Sequence, residues 1–270
     1  MDYEPHPQAE PASDADSAPA RRTGPFIVEP SVLVRDVVFH VPGASRAMER
    51  FRLDYCCGGS KSLSAICAES RVDVNALLLA LEEEKLLGGE TDQELLEIPL
   101  VDLVARIVAQ HHEPSRKEGA RLVALAESVR LAHGAAMPEL GAIAKDTTLL
   151  FSDLALHLRQ EEKVLFPYVE QLEVAGRDGL PAPVALFATI RHVIVEMEHE
   201  HEDSELVMAR LRRLSHDFAV TDATPPEVKE LYEGLDAHER DLVRHMHLEG
   251  NVVFPRAERL ETKLRRGARH

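Results

Sequence analysis

Two stretches of this chain obey one formula. Residues 157–167 read "HLRQEEKVLFP" and residues 245–255 read "HMHLEGNVVFP", both of the form H-x-x-x-E-x-x-V-x-F-P. On a helix, positions i and i+4 share a face, so His157 projects with Glu161 and His245 with Glu249. If the two pairs act together, two helices must lie side by side with those faces turned to each other. That requirement points to helix-on-helix packing.

The rest of the chain agrees. Alternating β-branched runs do not recur, and helical periodicity takes their place. "SVLVRDVVFHVPGASRAMERF" predicts two short helices. "SLSAICAES" and "DVNALLLALEEEKLL" predict two more, each opened by a Ser or Asp cap. "GGETDQ" then interrupts the pattern as a glycine-containing linker that permits movement. Four longer amphipathic segments follow, from Pro99 to about Ala132, about Pro138 to Leu172, about Pro183 to Phe218 and about Pro225 to Leu260. Gly- and Pro-rich connectors join them. The expected fold is all-α: an up-down-up-down four-helix bundle over residues 96–262, preceded by a small helical domain over 31–87. Residues 1–30, acidic and rich in Pro and Ala, are expected to be a disordered tail.

Composition narrows the function classes. A formal net charge of -16, with acid spread along the chain, argues against a nucleic-acid surface. No apolar run is long enough to span a membrane, and the first residues lack a signal-peptide pattern, so a cytoplasmic location is expected. Three cysteines, two of them adjacent, make no disulfide framework.

Every long segment carries histidine. The first has His111 and His112 in "AQHHEP", the third His199 and His201 in "EMEHEHED", and the second and fourth His157 and His245. One inward imidazole per helix plus Glu161 and Glu249 makes a ligand set for two metal ions, with the carboxylates bridging. Each ion then has two nitrogens and two oxygens. An octahedral ion keeps two positions for an oxo or water bridge and a small molecule. Phe166 and Phe254 are expected to pack under this site, and Pro167 and Pro255 to bend their helices just past it. Glu162, about 100° round from Glu161, is expected off the ligand face, so that Glu162→Gln does little. His192, His216 and His238 are taken as exposed or supporting histidines, and Cys67 as packing.

These residues resemble the hemerythrin-like domain, and "FRLDYCCGGSKSL" at residues 51–63 narrows the likeness to the RIC (repair of iron centres) di-iron family, ScdA/YtfE type. That family carries a short CCGG-containing helical domain ahead of a bundle ending in "HxxxENxxLFPRA"; here the end reads "HMHLEGNVVFPRAERL". The resemblance spans residues 31 to about 262. It implies iron ligands at His112, His157, Glu161, His201, His245 and Glu249. His133, His111 and His199 stand as further candidates. It also implies two non-haem iron ions with oxo and carboxylate bridges, and repair of iron–sulfur clusters damaged by nitric oxide or oxidants. Nitric oxide or dioxygen would be the small molecules handled, and damaged iron–sulfur proteins and a second copy of the chain the protein partners. NO reduction at the di-iron site is the enzymatic activity it suggests. Cys56 and Cys57 are expected to move iron or electrons rather than to ligate the pair. The chain departs from the family after His201, where "EDSE" replaces the usual Ala-Gly pair. The alternatives are an oxygen or nitric oxide carrier or sensor, a regulatory adaptor that meets a partner through its tail or CCGG domain, and, least favoured, a zinc hydrolase.

Overall fold

The computed structural model describes residues 26–56, 58–88 and 91–267. The expected disordered tail therefore lies largely outside the described residues, as does Cys57. Among the described residues the regular structure is helical, with one isolated bridge, Leu33 to Ser62.

The N-terminal part is built from α1 (Val34–His40), α2 (Ala44–Arg50), α3 (Leu63–Ser70) and α4 (Val74–Leu87). Ser62 caps α3 by accepting from the Ala65 amide, and Asp73 caps α4 by accepting from Asn75. The tight turn into α2 needs the left-handed backbone of Gly43, φ 70°. Val34, Val37, Ala47, Met48, Leu63, Cys67, Leu77 and Leu81 form a small core of its own. Cys67 is thus a packing residue. A short helix, α5 (Asp92–Leu95), follows with a Thr91–Glu94 capping box.

Four rods make the rest. The first is α6 (Leu100–Ile107), a widened turn Val108–His112 and α7 (Glu113–His133). The second is α8 (Glu139–Gln160), a widened turn Glu161–Leu165 and α9 (Phe166–Asp178). The third is α10 (Ile190–Leu214) alone. The fourth is α11 (Pro226–His247), a widened turn Leu248–Val253 and α12 (Phe254–Gly267). In each widened turn a backbone amide bonds five residues back, not four: Glu113 to Val108, Phe166 to Glu161 and Phe254 to Glu249. The two prolines expected to bend their helices, Pro167 and Pro255, each follow such a widened turn by two residues.

The third rod starts at Ile190, later than the Pro183 its composition suggested. Residues 181–189 pack as a loop, with Phe187 edge-on to Tyr168 at 4.9 Å. The helix begins where the buried Glu261 carboxylate of α12 accepts from the Ile190 amide at 3.2 Å. It ends at Leu214, because His216, Asp217 and Phe218 all have positive φ. Glu173 of α9 likewise caps the first rod, accepting from the Leu100 and Val101 amides at 2.7 Å each.

The bundle holds two apolar cores rather than one. One gathers Leu122, Ile143, Leu154, Met208, Leu231 and Leu242; the other gathers Leu103, Ile107, Val169, Ile194, Val253 and Phe254. Along the first three rods the two sets are separated by His112, Glu161 and His201, and along the fourth they change over between Met246 and Leu248, beside Glu249. Against the first core also lies one buried imidazole, His238, tilted against the Phe151 ring at 4.6 Å and with Nε2 unpartnered. Neither exposure nor a plain supporting role fits that position. The Phe151 ring beside it has its room from Gly119, where a Cβ would lie 2.4 Å from that ring.

Burial is the main reason that the His238 pKa falls from 6.5 to about 4, with Asp241 opposing and His245 assisting. The unfolded chain takes up this proton near pH 6.5 and the folded chain only near 4. Stability is therefore full above pH 6.5 and falls as pH drops toward 4. Between pH 7 and pH 5 the metal-free protein should lose about 2 kcal/mol through this residue. Urea unfolding at the two pH values checks it: His238→Phe should flatten the slope, and an unchanged slope would exclude this cause.

Candidate metal centre

Between the two cores lies a polar layer supplied by all four rods. His112 ends the widened turn of the first rod, and Glu161 and Glu249 lie in those of the second and fourth. His157 and His245 stand one helical turn before the two glutamates, and His201 comes from the third rod. Glu161, Glu249 and His112 are fully buried, His245 and His157 nearly so, and His201 is 9% exposed. The candidates fall into two overlapping groups, His112–Glu161–His245–Glu249 and His157–Glu161–His201–Glu249. Within each, one ligand-type atom per residue lies within 4.8 Å of the others.

The orientation of these atoms matters more than their proximity. Glu161 turns Oε2 to His112 Nε2 (3.4 Å) and Oε1 to His157 Nε2 (3.4 Å). Glu249 turns Oε1 to His245 Nε2 (2.8 Å) and Oε2 to His201 Nε2 (3.3 Å). Each carboxylate thus offers one oxygen to each imidazole pair, as a bridge requires. Within the pairs, Nε2 atoms face each other at 3.1 Å, His112 to His245 and His157 to His201. Yet both Glu161 oxygens and Glu249 Oε2 have no hydrogen-bond partner. Buried acceptors without donors are costly. Of these carboxylate–imidazole contacts only His245 Nε2 to Glu249 Oε1 is a hydrogen bond; the other nitrogens and oxygens approach at 3.3–3.4 Å without one, converging within each group.

Electrostatics gives the same answer. Burial, then the charge of Glu249, drives the Glu161 pKa well above the carboxylate range. Burial opposes charge on Glu249 as well, but the neighbouring imidazoles, His245 first and then His112 and His201, outweigh it and hold that carboxylate well below the range. Two carboxylates this close ionise together only if positive charge sits with them. Burial and neighbouring imidazoles push His157 down to about 3, and burial, despite Glu249, lowers His245. Neutral imidazoles are the form that binds metal. The residues present therefore fit a pair of cations.

Two supporting carboxylates were invisible in the spacing. Glu162 accepts from His112 Nδ1 at 2.8 Å and is itself clamped by Arg116. Glu200 accepts from His157 Nδ1 at 2.7 Å. A carboxylate can only accept, so both rings carry their proton on Nδ1 and turn the Nε2 lone pair inward. Glu162 is off the ligand face, as its position predicts, but it is not idle: it holds a ring from the neighbouring rod. Glu200 lies within the acidic "MEHEH" run and is marked out there only by its contact with His157.

The other candidates lie elsewhere. His111 is buried beside the site, Nδ1 on Asp241 at 2.8 Å, with its ring stacked on His245 at 5.8 Å. His199 is exposed and bonds back to the Val195 carbonyl. His133 sits at the end of α7 near Glu227, Nε2 to Oε2 3.6 Å. Phe166 stacks on His112 at 5.5 Å and Phe254 on His201 at 6.4 Å, so both line the site as their motifs suggest.

The Cys56 backbone contacts the fourth rod. Asn251 Nδ2 reaches its carbonyl (3.4 Å) and His247 Nδ1 (3.1 Å), and the Tyr55 ring lies 4.9 Å from His247. His247 Nε2 donates to Asp92 at 2.6 Å, and Arg52 pairs with Asp236 at 2.8 Å. The cysteine turn is therefore seated on the fourth rod beside the widened turn that carries Glu249. A cavity of about 260 Å³ lies along the same seam, lined by Leu53, Tyr55, Met208, Leu242, Val243 and Met246.

Comparison with known proteins accords with this geometry. Residues 103–257 match the hemerythrin HHE cation binding domain, and residues 32–85 match ScdA_N, a domain of unknown function. The chain is 30% identical to the iron-sulfur cluster repair protein YtfE of Pectobacterium carotovorum over 84% of its own length and 96% of that protein. The protein of the same name from Musicola paradisiaca is also 30% identical over the same shares, and that of Escherichia coli is 26% identical over 82% and 94%.

Removing either supporting carboxylate, Glu162→Ala or Glu200→Ala, should weaken metal binding about 10–100-fold and leave the helical circular dichroism intact. Competition with a chromophoric chelator measures this. Affinities equal to the parent's would mean that the rings are held by packing alone.

Proposed function

The chain belongs to the hemerythrin HHE cation-binding family, in a two-part form with an ScdA_N domain ahead of the bundle, and we propose that it repairs iron–sulfur clusters damaged by nitric oxide or oxidants. The observation that carries this is the pair of buried carboxylates, each offering one oxygen to each of two imidazole pairs. The name carried by the similar proteins supplies the class of client.

In this proposal the resident metal is two iron ions, held by His112 and His245 on one side, His157 and His201 on the other, and Glu161 and Glu249 between. Iron held there supplies redox chemistry and affinity for small diatomic molecules such as nitric oxide or dioxygen. The protein's own part is threefold. Glu162 and Glu200 keep the protons of His112 and His157 on Nδ1, outside the site. The two apolar cores close the layer from above and below, so bulk water has little access. The four rods supply only six ligating side chains, leaving room for a small molecule. A ligand set this open suits reactivity, NO reduction included, more than a saturated structural site.

Cys56 and Cys57 are assigned the transfer of iron or electrons between client and bundle. Cys56 supports that role by its seat against the fourth rod, its carbonyl accepting from Asn251, which stands two residues along from Glu249. Damaged iron–sulfur proteins are the partners. No described helix is long and apolar enough to cross a membrane, and the proposed setting is the cytoplasm.

The test uses an iron–sulfur dehydratase inactivated with nitric oxide. The iron-loaded protein should restore its activity faster than free ferrous iron does. Glu161→Gln and Glu249→Gln should each lose iron and the recovery together. The double change Cys56→Ser with Cys57→Ser should keep iron and lose recovery. A parent protein that binds nitric oxide reversibly yet restores nothing would favour sensing over repair.

A further inference from the structure

Three of the four rods contain a widened turn, and three of the four contain a proline two residues beyond it. Val108–His112 is followed by Pro114, Glu161–Leu165 by Pro167, and Leu248–Val253 by Pro255. The third rod has neither the turn nor an interior proline. In each case the amide just before the proline makes the five-residue bond: Glu113 to Val108, Phe166 to Glu161, Phe254 to Glu249. We propose that Pro114, Pro167 and Pro255 are positioning residues for the metal layer, each fixing a widened turn that sets the register of the ligand beside it. This rests on the metal reading of that layer.

The physics runs from the proline ring outward. In a regular helix the ring would collide with the carbonyl four residues back, and it offers no N–H to that carbonyl. The carbonyls concerned belong to Gln110, Lys163 and Asn251, each inside a widened turn. Widening the helix by one residue carries that carbonyl clear of the ring and lets the preceding amide bond one residue further back.

The consequence is a change of phase. One extra residue absorbed in a turn offsets the two halves of a rod by about 100°, the angle per residue of a regular helix. The two halves face different cores. On the second rod Leu150, Leu154 and Leu158 lie in one core, and Leu165, Val169 and Leu172 in the other, with Glu161 between. On the fourth, Leu235, Leu242 and Met246 lie in one, Leu248, Val253 and Ala257 in the other, and the change falls at the start of the widened turn beside Glu249. On the first, His112 sits between Ile107 and Leu122. Rewinding a turn to regular helix would force either a core or the ligand out of phase. The cores bury far more apolar surface, so the ligand would move. The proline of the repeated V-x-F-P trailer thereby acquires a role. It stands six residues after each bridging glutamate, as Pro167 does from Glu161 and Pro255 from Glu249. The adjacent phenylalanine lines the site.

The test is Pro167→Ala in the full chain, with Pro226→Ala, a first-turn proline of α11 far from any widened turn, as control. Two readouts are taken. A crystal structure of the metal-free variant reports whether Phe166 still bonds to Glu161 or has returned to Glu162. Ferrous iron affinity is measured by chelator competition. The expected result is a regular turn, a thermal midpoint equal to or above the parent's, and iron binding at least about tenfold weaker, the scale of loss when a ligand's support is removed. A proline that merely tolerates its place predicts the reverse: a better helix and unchanged affinity. Retention of the five-residue bond, or affinity within twofold of the parent, overturns the proposal. Should Pro167→Ala yield no folded protein, Pro255→Ala and Pro114→Ala report on the other two turns by the same readouts. Failure of the parent itself to bind iron would refute the metal reading, while the backbone structure would still decide the role of the proline.

Discussion

Two carboxylates with no exposure stand side by side at the centre of this bundle, and the surrounding architecture accommodates them. An isolated buried carboxylate is held at a cost of several kcal/mol. Here two are held with three of their four oxygens lacking hydrogen-bond partners, walled by apolar cores on both sides. Such a layer is a poor device for stability alone. It makes sense as a socket for positive charge, and the four inward Nε2 atoms say of what kind: metal ions that accept nitrogen and oxygen together.

Much of this was legible in the sequence, for reasons that can be named. The repeated H-x-x-x-E motif works because the helical period is rigid, so a spacing of four is a statement about direction. The caps of α3 and α4 and the breaks between rods follow from local chemistry at Ser62, Asp73, Gly134 and the prolines. By contrast, the pattern left His111 and His112 as equal neighbours, one residue apart. Only the widened turn decides which ring faces Glu161 and which turns to Asp241, and that turn depends on backbone hydrogen bonds that no residue pattern announces. Glu162 and Glu200 were hidden because their partners, His112 and His157, lie on other rods. The late start of α10 was hidden for the same reason: its amide partner, Glu261, is far along the chain. His238 escaped because a histidine next to charged neighbours looks exposed until Phe151 is seen beside it.

Beside the metal layer, polar contacts around His247 tie the N-terminal part to the fourth rod. His247 is touched by Tyr55, donates to Asp92 and receives from Asn251, which also holds the Cys56 carbonyl. These contacts converge on the stretch of the fourth rod that runs from His245 to the end of its widened turn. The Cys56 backbone is seated against the helix that presents Glu249.

The claim on which all of this turns is that the layer holds two metal ions bridged by Glu161 and Glu249. Anomalous diffraction at the iron edge, from crystals of the iron-loaded protein, tests it most directly. Two peaks should appear, one between His112 and His245 and one between His157 and His201, each in contact with one oxygen of both glutamates. A single peak, or peaks at which either glutamate is not a ligand, would contradict the account.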